Sequence, residues 1–132
     1  MKDDIRRRAV AAPNGELAWR RADVASAVAA YREDAQAILG GEIWVVLDGA
    51  FYPQPPLESG GTAVIAWDVT ARRPGEAWPE FVKRTAAEGL AEIEALKAEN
   101  AVLSSLRDGI SYNLYVVTES EYEASLSAGP KH

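Results

Sequence analysis

The chain contains no cysteine, and its one histidine, His132, is the last residue of the sequence. Without thiolates, disulfide frameworks, cysteine-ligated zinc and cysteine nucleophiles are excluded. A histidine on a fraying terminus is a poor general base or metal ligand, so histidine chemistry is set aside as well. Serine nucleophiles go with it, because they need a positioned base, and Ser104, Ser105 and Ser111 read as structural. Basic charge is also in short supply. Lys and Arg number 14 against 20 Asp and Glu, for a net charge of -6. A nucleic-acid partner, which is held by a basic stripe, is therefore not expected. No apolar run approaches the roughly 20 residues of a membrane span. The longest, Ile43–Leu47, has the length of a strand, so no membrane partner is expected. Residues 1–12 carry both signs of charge and no apolar core, unlike a secretory signal. The expectation is a cytoplasmic protein with no metal and no cofactor. No loop resembles an EF-hand, and neither Gly40-Gly41 nor Gly60-Gly61 has the spacing of a phosphate loop.

What is present reads as one domain over 1–132: an arm or short helix over 1–18, a core over 19–126 and a frayed tail over 127–132. Residues 1–34 hold seven basic and six acidic side chains, the remainder seven and fourteen, so the acidity belongs to the later chain. Arg6-Arg7-Arg8, beside Asp3 and Asp4, reads as a solvated face. Val24, Val28, Tyr31, Ala35 and Ile38 fall on one face of a 3.6-residue period. They predict a helix over Asp23–Leu39, capped by Asp23 or Ser26 and stopped by Gly40-Gly41. A β-branched and aromatic strand follows at Glu42–Leu47, then a tight turn at Asp48-Gly49. The proline- and glycine-rich stretch Phe51–Gly61 reads as a loop, and Thr62–Val69 as a second strand. The longest helix is expected over Trp78–Asn100, opened by Pro79 in its first turn. Glu76, just before it, and Arg84 read as a scaffold pair at the helix start, and Gly89 as a close-packing position. A third strand is expected at Ile110–Thr118, and a short helix with Tyr122 and Leu126 after a Thr118 or Ser120 cap. Leu103–Arg107 is open to a fourth strand. The resulting class is α+β, in the order α-β-β-α-β-α, with a small, mainly antiparallel sheet of three to four strands and helices packed on one face.

The aromatic balance points to binding rather than catalysis. Four Trp and five Tyr stand against two Phe, and Trp and Tyr combine an apolar body with a polar handle. Acidic residues and aromatics cluster in the strand–loop–strand region. Glu42, Trp44, Asp48, Tyr52, Glu58, Trp67 and Asp68 are the candidate partner-binding residues there. An acidic surface with aromatic anchors suits a basic partner, through steering and desolvated contacts. Two other readings use the same region. One is a small-molecule-binding or regulatory module, which needs a concave pocket. The other is a hydrolase working with Glu42 and Asp68 as paired carboxylates, which needs both in one cleft.

Three stretches taken together resemble the immunity protein 40 family of bacterial polymorphic toxin systems. They are Ile38-Leu39-Gly40-Gly41-Glu42-Ile43-Trp44, Ala66-Trp67-Asp68-Val69, and Gly75 to Thr85 with Trp78, Phe81 and Arg84. The resemblance covers about residues 19–118; the proline-rich Phe51–Gly61 loop and Pro79 depart from the family pattern. It implies a small cytoplasmic, non-enzymatic protein that binds and neutralises a cognate toxin domain, with no catalytic residues of its own.

Overall fold

A computed structural model describes residues 1–127; the expected tail over 127–132, apart from Ser127 at the end of the last helix, lies outside the described residues. The class is α+β, with a mainly antiparallel open sheet and five helices. In chain order the elements are α1 (Asp3–Arg8), β1 (Val10–Ala11), β2 (Leu17–Trp19), α2 (Arg21–Glu33), β3 (Ala37–Leu47), β4 (Ala50–Tyr52), β5 (Ala66–Asp68), α3 (Trp78–Leu96), α4 (Ala98–Ala101), a 3-10 turn (Ser104–Gly109), β6 (Ile110–Asn113), β7 (Tyr115–Val117) and α5 (Glu119–Ser127). The sheet has seven strands rather than the three or four expected, because several are only two or three residues long.

Everything is organised on β3, an 11-residue strand. On one side it pairs with β6 and then β7; on the other it pairs with β4 at its C-terminal end and β5 at its N-terminal end. All of these pairings are antiparallel. β2 and then β1 extend the sheet beyond β6. Alternation along β3 sends Ile43 and Val45 toward α2 and α3, where they join Trp19, Val28, Ile93 and Tyr112 in the main core. Glu42 and Trp44 point to the opposite face, whose apolar cluster holds no helix residue among the described residues. There Trp44 packs with Ala12, Ala18, Val10 and Phe51 in a second, smaller core.

The helix expected over Asp23–Leu39 runs instead from Arg21 to Glu33. It ends through Asp34 and a left-handed Ala35 (φ 58), with Gln36 N–H donating to Tyr31 O at 3.0 Å. Ala37 and Ile38 then pair with Val117 and Val116 and are almost fully buried. Ladder hydrogen bonds and double-sided burial outweigh the helical spacing of Ile38, which is a tertiary effect. Neither Asp23 nor Ser26 caps α2; its N-cap position is Arg20. Gly40 and Gly41 therefore lie inside β3 and do not stop a helix. A Cβ at Gly41 would sit 1.9 Å from the Asn113 carbonyl oxygen, and one at Gly40 would sit 2.4 Å from that of Trp67. The pair lets neighbouring strands close in from both sides.

Other boundaries shift for local reasons. Asp48-Gly49, both at positive φ, forms the β3–β4 hairpin turn, so Phe51 and Tyr52 begin as strand rather than loop. The expected Thr62–Val69 strand shrinks to Ala66–Asp68. Pro79 occupies the first turn of α3 as expected, but the helix breaks at Lys97 (φ 46) before the single turn of α4. Leu103–Arg107 falls mostly in the 3-10 turn, not in a strand. At the end of β7, Thr118 Oγ1 accepts the Glu121 N–H and Glu121 Oε1 accepts the Thr118 N–H, a reciprocal capping box for α5. Residues 1–18 hold α1, which packs on α2, and the β1–β2 strands that widen the sheet.

Candidate functional site

The Gly40-Gly41 stretch of β3 forms the bare floor of a groove of about 380 Å³. Ala66 and Trp67 of β5 wall it on one side, and Asn113 and Tyr115 wall it on the other. Glu42 stands at one end, and Glu16, from the β1–β2 connection, reaches in from outside. The antiparallel register sets Glu42 opposite Ala66 and Asp68 opposite Gly40. Glu42 and Asp68 are thus diagonal neighbours on one sheet face, a relation that spaces side chains by about 7–8 Å. A second groove, of about 320 Å³, runs from Asp68 and Thr70 to Glu88 and Glu92 of α3.

The carboxylates here are largely uncompensated. Among the described residues, Glu16, Glu42, Asp68 and Glu92 take part in no ion pair. Glu42 accepts one hydrogen bond, from Trp44 Nε1 at 3.1 Å. Such a face concentrates negative potential where the backbone is most open. The described residues hold no group of three or more His, Asp or Glu placed to bind a metal.

The loop leaving β5 is fixed by Arg84, whose side chain is mostly buried. Its Nε and Nη2 donate to the two carboxylate oxygens of Glu76 at 2.7 and 2.8 Å. Nη1 reaches Glu88 and the Thr70 carbonyl, and Nη2 also reaches the Ala71 carbonyl. The bidentate bond from Arg84 holds the Glu76 carboxyl at about 2, well below its ordinary 4.5. The expected Glu76–Arg84 pair is present and clamps residues 70–76 to α3.

The seven predicted contact residues do not form one face. Glu42 and Trp67 line the groove, with Trp44 beside Glu42, while Asp68, opposite Gly40, lines the second groove toward α3. Asp48 sits exposed in the hairpin turn at the other end of β3, about 20 Å from Glu42 at the usual rise per residue. Tyr52 is half-buried against the main core. Glu58 is exposed and tied to the 3-10 turn, accepting the Ser104 N–H at 2.9 Å and lying 3.6 Å from Arg107. Trp44 and Trp67 are only 4% and 7% exposed, and Trp19 and Trp78 are buried too, so every tryptophan serves the scaffold.

Three of the tryptophans have a partner for the indole N–H: Ile5 O, Glu42 and Ala35 O. The fourth, Trp67, has a buried Nε1 with none. The exposed aromatic at the groove is Tyr115, at 61%. Sequence reasoning missed it, although the alternation Ser111, Asn113, Tyr115 against Ile110, Tyr112, Leu114 marks it as facing outward. Glu16 carries no comparable signal; the sheet brings it in from the other end of the chain. In comparisons with family models, curated proteins and solved structures, the chain matches none of them.

Proposed function

We propose that the chain is an immunity protein: a cytoplasmic, non-enzymatic inhibitor that binds a cognate bacterial toxin domain and occludes its active site or substrate path. The observation that carries this reading is the groove over Gly40-Gly41, lined by exposed Tyr115 and by Glu16 and Glu42, neither in an ion pair among the described residues, with Asp68 on the adjoining strand β5. Its partner is a protein with a basic surface, drawn by charge and anchored by the aromatic ring. The sequence resemblance to the immunity protein 40 family and the lack of cysteine or internal histidine agree with this. Asp48 and Glu58 drop out of the contact set because they stand away from the groove.

Two steps test the proposal. The C-terminal domain encoded by the gene immediately upstream is co-expressed with the chain, and the expected result is growth arrest by that domain alone and rescue by the chain. Glu42→Lys with Asp68→Lys then abolishes rescue while circular dichroism stays unchanged. Full rescue by that double variant overturns the assignment of this face.

The groove volume of about 380 Å³ favours a second reading, a small-molecule-binding or regulatory module. A metabolite that raises the melting temperature in a thermal-shift screen selects it over the first.

A further inference from the structure

We propose that the outer edge of β5 accepts an extended, basic peptide segment of a partner as an added strand. This rests on the reading that the chain works by binding a partner, and it specifies where and how.

The main-chain geometry of β5 comes first. Ile43 N–H donates to Ile65 O at 2.8 Å, and Val69 N–H donates to Leu39 O at 3.2 Å. Ala66, Trp67 and Asp68 lie between, opposite Glu42, Gly41 and Gly40. Antiparallel ladders alternate hydrogen-bonded and non-bonded pairs. Ile65, Trp67 and Val69 therefore bond inward to β3. The N–H and C=O groups of Ala66 and Asp68 point outward, where β5 has no neighbouring strand among the described residues. Both residues are exposed, and so is Val64, at 54%. An uncovered edge of this kind is a template for strand addition.

Edges are usually guarded by lysine, proline or a bulge. β5 has none of these; its only charged residue is Asp68. That carboxylate repels an acidic strand and attracts a basic one. The surroundings repeat the preference on both sides. An added strand projects successive side chains alternately. One set would face Glu42 and Asp68 on the open face, and the other would face Glu88 and Glu92 on α3. Of these four, only Glu88 is in an ion pair among the described residues, with Arg84 at 3.1 Å. The charge pattern thus selects a strand with Lys or Arg at successive positions on both faces, or on either one.

The test uses the full chain and two decapeptides of equal charge, one alternating Lys and Thr, the other of the same sequence with every backbone amide N-methylated, each acetylated and amidated. Binding is followed by NMR at low salt, with amide hydrogen exchange as the second readout. The Lys-Thr peptide is expected to bind at least about tenfold more tightly than its N-methylated counterpart, which has no N–H to donate to a ladder. On binding, the Ala66 and Asp68 amides slow about tenfold or more, while those of Trp67 and Val69 are protected from the start. Ala66→Pro removes an N–H that β3 does not use, so the fold persists and Lys-Thr affinity falls by about tenfold. Equal binding of the two peptides, no binding of either, or unchanged exchange at Ala66 and Asp68 overturns the proposal; the exchange result needs no variant. That failure leaves toxin rescue untouched. Loss of rescue alongside intact Lys-Thr binding overturns the immunity reading and leaves the edge site standing.

Discussion

The same substitution, glycine to alanine, is expected to have opposite effects on the two sides of the Trp67 indole. Gly89 lies inside the 19-residue helix α3 and faces the indole from the helix side. Alanine is favoured over glycine in a helix interior by about 0.8–1.0 kcal/mol. A Cβ there would meet Trp67 Cζ3 at 3.4 Å, Cη2 at 3.5 Å and Ile38 Cγ2 at 3.6 Å, all ordinary van der Waals contacts. Three such contacts add about 0.3–0.6 kcal/mol of dispersion. Gly89→Ala is therefore expected to stabilise the fold by about 1 kcal/mol, raising Tm by about 3–5 °C for a chain of this size.

Gly41 faces the indole from β3. A Cβ there would lie 2.8 Å from Trp67 Cζ2 and 1.9 Å from the Asn113 carbonyl oxygen. The second atom is backbone, held by the Ala18–Asn113 pairing of β2 with β6, so it cannot swing aside as a side chain does. Overpacking of this severity costs about 3 kcal/mol or more. Equilibrium urea unfolding, read by tryptophan fluorescence and circular dichroism, measures both. A destabilised Gly89→Ala or a neutral Gly41→Ala would refute the placement of the indole between two backbones.

Three further outcomes follow from the structure. The folded-state value of Glu76 lies at about 2, below its ordinary 4.5, because Arg84 stabilises the ionised form. Its contribution is fully present above about pH 4.5 and is lost as pH falls toward about 2. Urea midpoints of Glu76→Gln across that window should fall less steeply than those of the parent chain; matching slopes would remove Glu76 from the acid limb. Thr118→Ala breaks the capping box of α5 and should cost that helix about 1 kcal/mol, seen as faster amide exchange over residues 119–127. Trp44→Ala empties the second core, where the indole meets Phe51 edge-on at 5.2 Å. It should cost about 3–5 kcal/mol; a loss below about 1 kcal/mol would mean this face of the sheet has no core of its own.

Much of the scaffold is written locally. The Asp48-Gly49 turn, Pro79 at the start of α3, the apolar stripe through Phe81, Val82, Ala86 and Ile93, and the Thr118–Glu121 box each follow from the chemistry of a few adjacent residues. Those signals fix the α+β class and the main strands. They also identify Glu76–Arg84, because both partners flank the start of one helix.

The site is decided elsewhere. Ala37 and Ile38 carry a helical spacing, yet pairing with Val116 and Val117 makes them strand. Gly40-Gly41 looks like a helix stop and proves to be the groove floor, because only glycine lets Trp67 and Asn113 close on β3 together. Glu16, Glu42, Asp68 and Tyr115 come from four separate strands or connections, and no local window holds more than one of them. The sequence by itself determined which residues can form helices, turns and core, since those preferences are settled over a few bonds. Only the tertiary structure decided which carboxylates share a face and which strand edge stays open, since both depend on register between segments far apart in the chain.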